Sequence, residues 1–316
     1  MITGGLGLIG TAIADLLLVF NMKYHGSIRI IIAARDEKLF RKKYDGFSDV
    51  SFVFYDASEK LNLVTNPDYF VCGAGIASPE LYTEKPIETF MSNFLGVTSI
   101  LDYCTSKKVK RILYISSSEV YGDTKVPGAN REGQYGVINI DAIRSSYPIA
   151  KIATEFMCKA YAAERDVNTV IVRPGHVYGP TAKEKDKRVS SDFAYRASKN
   201  ETIVLKSLGL QKRSYTYSVD AAASILCVLL NGSTGEAYNI GARSETSVRE
   251  MASLYAAVGN TKLVMREPSE SELNSFNPME NSTVDCQKIQ ALGYIPQFSV
   301  EEGTEHTVKI LKELNQ

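Results

Sequence analysis

The stretch Thr3-Gly4-Gly5-Leu6-Gly7-Leu8-Ile9-Gly10 decides the fold. It runs straight into Thr11–Phe20 (TAIADLLLVF), whose apolar residues recur at helical spacing. Each glycine there has a mechanical reason. A tight turn needs a residue without Cβ, the backbone must come close to a pyrophosphate, and the last glycine lets the helix pack on a sheet. The phosphates would then sit at the positive end of that helix. A glycine triad alone says little, but one that opens a helix in an alternating α/β chain points to dinucleotide binding. Only Met1 and Ile2 precede Thr3, so either the first strand is very short or the chain has lost residues before it.

Outward from the loop the alternation continues. Arg29–Ala34 (RIIIAA), Ser51–Tyr55 (SFVFY), Asp68–Cys72 (DYFVC), Arg111–Ser116 (RILYIS) and Val167–Arg173 (VNTVIVR) read as buried strands. Ile87–Ser106 and Ser146–Glu164 read as helices between them. Strands alternating with helices predict an α/β fold, a Rossmann-type doubly wound parallel sheet covered on both faces. After about residue 174 the rhythm breaks. Gly179–Arg188 and Glu267–Ser282 read as exposed loops, with shorter helices and strands between them. We therefore expect residues 1–174 to form the dinucleotide-binding domain. Residues 175–316 should form mainly a smaller substrate-binding lobe, with the chain crossing back to the sheet.

At 316 residues the chain is long enough for one large domain or two closely joined ones. Its 36 basic and 36 acidic residues cancel, which argues against nucleic acid as the main partner. The five cysteines (72, 104, 158, 227, 286) form no CxxC pair and the three histidines are scattered, so no metal site is expected. No apolar run approaches the ~18 residues of a membrane span, and a cytoplasmic protein with no membrane partner is the default expectation. After the second strand stand Arg35 and Asp36. A carboxylate there would bind the ribose hydroxyls of NAD and an arginine would take the extra phosphate of NADP, unless both are only solvated loop charges.

Tyr147-Pro148-Ile149-Ala150-Lys151 places a phenol and an ammonium four residues apart, hence on one helix face. A lysine charge nearby favours the phenolate, so the Tyr147 pKa is expected to fall toward working pH. Such a tyrosine could take a proton from a sugar hydroxyl as hydride leaves to a nicotinamide. Ser116-Ser117-Ser118-Glu119-Val120-Tyr121-Gly122 closes the strand RILYIS, at the edge where parallel-sheet active sites collect.

Together these residues resemble the extended short-chain dehydrogenases of the nucleotide-sugar epimerase/dehydratase family, through nearly the whole chain. The resemblance implies NAD, with NADP still open, and assigns Gly4, Gly7, Leu8, Ile9 and Gly10 to the cofactor loop. It assigns Arg35, Asp36, Asp56, Ala57, Ala74 and Pro174, with Tyr147 and Lys151, to the remaining cofactor contacts. It implies Ser117, Glu119, Tyr147 and Lys151 as catalytic residues. Ser118, His176 in RPGHVYGP and Arg213 in KRSYTYSVD would meet a nucleotide-sugar substrate, with Arg213 gripping its diphosphate. A homodimer is implied by the resemblance only.

Within the family, hydride transfer from sugar C4 gives a 4-keto sugar, whose fate defines the enzyme. Dehydratases typically carry Asp-Glu where this chain has Ser118-Glu119. The Ser-Glu arrangement and Ala77-Ser78-Pro79 followed by Tyr82 look more like UDP-glucuronate decarboxylases. Those enzymes, however, typically have an arginine where Thr181 stands and Asn where His176 stands. The first expectation is thus an NAD-dependent nucleotide-sugar epimerase, with decarboxylase and 4,6-dehydratase as alternatives. A catalytically silent NAD-binding sensor or scaffold is the non-enzyme reading, since fold alone does not fix activity.

Overall fold

The computed structural model describes residues 1–314 except 62, 64, 108, 185, 187, 270–278 and 280. Along the first half run β1 (Ile2–Thr3), α1 (Leu8–Tyr24), β2 (Ile30–Ala34), α2 (Glu37–Tyr44), β3 (Val50–Phe54) and β4 (Tyr69–Cys72). Then come α3 (Pro79–Glu84), α4 (Pro86–Ser106), β5 (Arg111–Ile115), α5 (Ser146–Arg165) and β6 (Thr169–Pro174). Next are β7 (His176–Tyr178), α6 (Val189–Ser198), β8 (Ile203–Leu205), β9 (Lys212–Arg213), β10 (Tyr215–Tyr217) and α7 (Ser218–Asn231). The chain continues through β11 (Ala237–Ile240), β12 (Thr246–Ser247), α8 (Val248–Gly259), β13 (Leu263–Met265) and β14 (Asn281–Ser282). It closes on α9 (Gln287–Gln290) and α10 (Val300–Leu314).

Seven strands form one parallel sheet in the order β11-β6-β5-β4-β1-β2-β3. The doubly wound sheet expected from the alternation is what the chain builds. Successive side chains of a strand point to opposite faces, and the core divides accordingly. Val71 and Leu113 join Ile13, Leu18, Ile225 and Val228 under α1 and α7. Phe70, Cys72, Ile112 and Tyr114 join Ile100, Leu101 and Cys158 under α4 and α5. The very short β1 lies inside the sheet, with Ile2 facing Ile32 of β2 on one side and Val71 of β4 on the other. Strand order reverses there, and such a switch point opens a crevice beyond the carboxyl ends of the strands.

The remaining strands form small sheets. β10 pairs with β7, β13 with β8, and β9 lies between β12 and β14. A separate core of Tyr178, Phe193, Tyr217, Met251, Tyr255 and Leu311 ties them to α6, α8 and α10. The end of the segment read as a loop over 267–282 is instead strand: Ser282 sits opposite Arg213 in β14. Most of that segment, 270–278 and 280, lies outside the described residues. The five cysteines are unpaired. No helix among the described residues is long and apolar enough to cross a membrane.

Candidate active site

All seven strands of the main sheet run the same way, so the segments leaving β1, β4, β5 and β6 emerge at one edge. There a cavity of ≈ 590 Å³ extends from the glycine loop to β9 and α6. Gly4, Gly7, Leu8, Ile9, Gly10, Ser117, Ser118, Glu119, Tyr147, Lys151, Pro174, His176 and Arg213 all line it. The fold thus gathers the expected residues from five separate segments of chain.

The glycine loop is shaped by two close approaches. Gly4 has φ +69° and a Cβ there would meet the Gly73 carbonyl oxygen at 2.7 Å. A Cβ on Gly10 would lie 2.4 Å from the Gly4 oxygen, so α1 could not start against the loop. Gly7 precedes α1 with no side-chain cap, which leaves the first N–H groups of the helix aimed at the cavity edge.

Tyr147 stands in the first turn of α5 and Lys151 one turn further on, both buried. Lys151 Nζ donates to the Ile115 carbonyl at 2.8 Å and lies over the rings of Tyr114 and Tyr147. Burial brings its pKa down to about 7, opposed by the Glu155 charge. The expected fall of the Tyr147 pKa is not met. Burial, then the Glu119 charge, pushes the phenol up to about 12, against hydrogen bonds donated by Ser117 and Tyr82. Lys151 spends its proton on a backbone carbonyl and is itself weakened as a cation, so it is not the group that holds the phenol down.

Ser117 caps a 3-10 turn over Ser118–Tyr121, its Oγ accepting from Glu119 N at 3.2 Å. Glu119 is held by both ends of one guanidinium: Arg144 donates to its Oε2 at 2.8 Å and Oε1 at 3.2 Å. Both side chains are nearly covered, at 11% and 13% exposure, so this pair is shielded from solvent screening.

His176 sits on the far wall, edge-on to Tyr215, with its ring nitrogen Nδ1 buried and unpartnered among the described residues. Burial first, then Arg213, Arg188 and Arg144, drives its pKa down to about 3, so the imidazole is neutral at working pH. Arg213 is buried in β9 and donates to its neighbour's carbonyl, Lys212 O, at 2.9 Å. Arg188 reaches the cavity while ion-paired with Asp186.

Five expected cofactor residues do not line the cavity. Asp36 caps α2, accepting from Leu39 N at 2.9 Å. Arg35 reaches Asp56 at 3.6 Å at the ends of β2 and β3. Asp56 also accepts from the Ser58 hydroxyl, Ala57 is buried, and Ala74 N donates to Thr3 Oγ1 at 3.2 Å. Of the five, Ala74 touches the glycine loop, through Thr3.

Sequence reasoning missed Arg144, Tyr82 as a partner of Tyr147, Arg188 and Asn93. Tyr82 packs on Tyr147 with ring centroids 4.3 Å apart and planes 5° from parallel. Asn93, on α4, keeps a buried Oδ1 at the cavity wall with no partner among the described residues, as does Ser116 its Oγ. No local pattern marks these residues, since each meets the site only through tertiary packing. The unsatisfied acceptors, the glycine cradle and the buried Lys151 together fit a dinucleotide.

Such a cradle at the switch point of a doubly wound sheet, with a Tyr-x-x-x-Lys helix beside it, defines a dinucleotide-dependent enzyme of the short-chain dehydrogenase kind. The chain belongs to the NAD dependent epimerase/dehydratase family, which it matches over residues 1–241. It is 27% identical to the UDP-N-acetyl-alpha-D-glucosaminuronate decarboxylase of Bacillus cytotoxicus, across 99% of this chain and 98% of that protein. It is also 27% identical to UDP-glucuronic acid decarboxylase 1 of Danio rerio, across 98% of this chain and 71% of the relative. The fold matches a UDP-glucose 4-epimerase of Thermotoga maritima at TM-score 0.84 and 22% identity, over 100% of this chain and 99% of that one. A dTDP-glucose 4,6-dehydratase of Streptomyces venezuelae, solved with NAD bound, matches at TM-score 0.83 and 21% identity, over 99% and 96% of the two chains. The family expected from the motifs is the one found, and its members are enzymes that depend on NAD.

Proposed function

We propose that the chain is an NAD-dependent nucleotide-sugar epimerase that oxidises the sugar transiently at C4. The observation that carries this reading is the bidentate Glu119–Arg144 pair. A 4,6-dehydratase needs a carboxyl group to move protons beside C4. Of the carboxylates lining the cavity, Glu119 is taken up by Arg144, Asp192 by Arg196 at 2.9 Å, and Glu80 is exposed. An epimerase needs no such base, because the keto sugar turns over in the pocket and is reduced on its other face.

In this reading Gly4, Gly7, Gly10 and the start of α1 hold the pyrophosphate, and Lys151 and Asn93 hold the nicotinamide half. When bound, NAD supplies a reversible acceptor for the C4 hydride. Tyr147 takes the proton from the C4 hydroxyl and gives it back. Ser117 orients that hydroxyl, and Arg213 and Arg188 face the diphosphate, where a guanidinium fork matches phosphate oxygens. Neutral His176 offers an uncharged hydrogen-bonding wall to the sugar. A second reading, decarboxylation of a nucleotide uronic acid, is favoured by the whole-length likeness to two decarboxylases. It also proceeds through a C4 ketone and needs no carboxylate base for the loss of carbon dioxide.

The two are separated by incubating NAD-loaded protein with UDP- and dTDP-hexoses and hexuronates in deuterated water. The epimerase reading predicts a C4-inverted product without carbon-bound deuterium, and turnover reduced by roughly 10²–10⁴ in Tyr147→Phe. Loss of carbon dioxide with deuterium at C5 would establish the second reading instead. Full activity in Tyr147→Phe contradicts both.

A further inference from the structure

We propose that Tyr82 is a positioning residue for the acid/base chemistry: its hydroxyl donates to the Tyr147 oxygen and steadies the charge formed there when the proton leaves. This rests on the reading of Tyr147 as the proton carrier. The geometry has three parts. The two rings stack with centroids 4.3 Å apart and planes 5° from parallel, which holds the Tyr82 phenol directly against that of Tyr147. The Ser146 hydroxyl donates to the Tyr82 carbonyl at 3.0 Å, fixing α3 against the start of α5 next to Tyr147. Arg144 Cζ lies over the Tyr82 ring, 5.4 Å from its centroid, while the guanidinium nitrogens grip Glu119.

Tyr82 is 2% exposed yet lines the cavity, so it is a buried polar group at the reacting end of the site. Burying a hydroxyl there is costly unless it is hydrogen-bonded, and a phenylalanine would fill the same stack without that cost. The phenol pair is also where the electrostatics meet. From the turn after β5 come Ser117 and Glu119, and from the segment before α5 comes Arg144. Arg188 faces the pair from the α6 side, Tyr114 from β5, and Lys151 from the helix itself. Glu119 opposes the phenolate, whereas the Ser117 and Tyr82 donors and Arg188 favour it. Tyr82 is therefore one of two hydroxyls that offset the carboxylate at the working oxygen. Loss of its hydrogen bond should raise the Tyr147 pKa by about half a unit to one unit.

The test is Tyr82→Phe, which keeps the ring and its stack. For whichever nucleotide sugar turns over, the acid limb of the kcat profile should move to higher pH by that amount. The deficit should be about three- to ten-fold below the limb and vanish above it, with KM little changed. An unmoved limb, or a deficit equal at every pH, would overturn the proposal, because a purely structural loss does not follow proton concentration. A second arm needs no substrate. A trifluorotyrosine, more acidic than tyrosine, is placed at position 147 in the parent and Tyr82→Phe backgrounds, and its titration is followed by fluorine NMR. A higher midpoint in the Tyr82→Phe background supports the proposal, and equal midpoints refute it. If no sugar turns over, the epimerase reading fails while this second arm still decides the role of Tyr82.

Discussion

At the scale of single residues, Lys151 shows how burial alters a motif's chemistry. The four-residue spacing of Tyr147 and Lys151 was legible, and both side chains line the site. Their protonation was not, because it depends first on burial in the folded site and then on charges such as Glu119, which reaches Tyr147 from the turn after β5. The Lys151 pKa falls from 10.5 to about 7, so between those values the unfolded chain binds a proton that the folded one has shed. Stability from this group therefore rises with pH across that window, and the full cost of burying the cation is felt below pH 7. Lys151→Met should raise the stability of dinucleotide-stripped protein by up to a few kcal/mol below pH 7. The advantage should shrink as pH approaches 10.5. Thermal melts across pH check this, and a gap that does not vary with pH contradicts it.

At the scale of elements, α5 carries the site because β6 holds it. Glu155, one turn beyond Lys151, accepts from Arg173 of β6 at 2.9 and 2.6 Å. Arg173 also donates to Tyr121 at 3.1 Å, and Tyr121 donates to Asn239 of β11 at 2.6 Å. The Arg173 side chain is 1% exposed and that of Glu155 7%, so each charge depends on the other. Glu155→Ala leaves a buried guanidinium without its carboxylate and should cost about 3–5 kcal/mol, read by urea denaturation. A cost below about 1 kcal/mol would mean that water or another group takes over. None of this network was visible in the sequence, where Arg173 was read as the end of the strand VNTVIVR and the first residue of RPGHVYGP, with no partner for its charge. The long apolar strands and helices of the first half were legible from periodicity. The short α2, and α10 with its Ser299/Glu302 cap, were missed because their signals are caps rather than long apolar runs.

At the scale of the whole molecule, the glycine loop, α5 with Tyr147 and Lys151, and the β9 arginine come from remote parts of the chain, yet they share one cavity. The motifs were enough to predict that convergence, since strand order and handedness restrict where each strand ends. What they could not reach was the enclosed wall of Tyr82, Arg144 and Arg188, which is made by packing between elements. The central claim is that a nucleotide sugar is oxidised at C4 and then reduced at the same carbon. The most direct test follows a UDP-hexose deuterated at C4 through a rapidly quenched turnover on NAD-loaded protein. The account predicts labelled reduced dinucleotide at early times and the deuterium back on C4 of the final product. Product whose C4 has exchanged with solvent, or full conversion with no label ever on the dinucleotide, would contradict it.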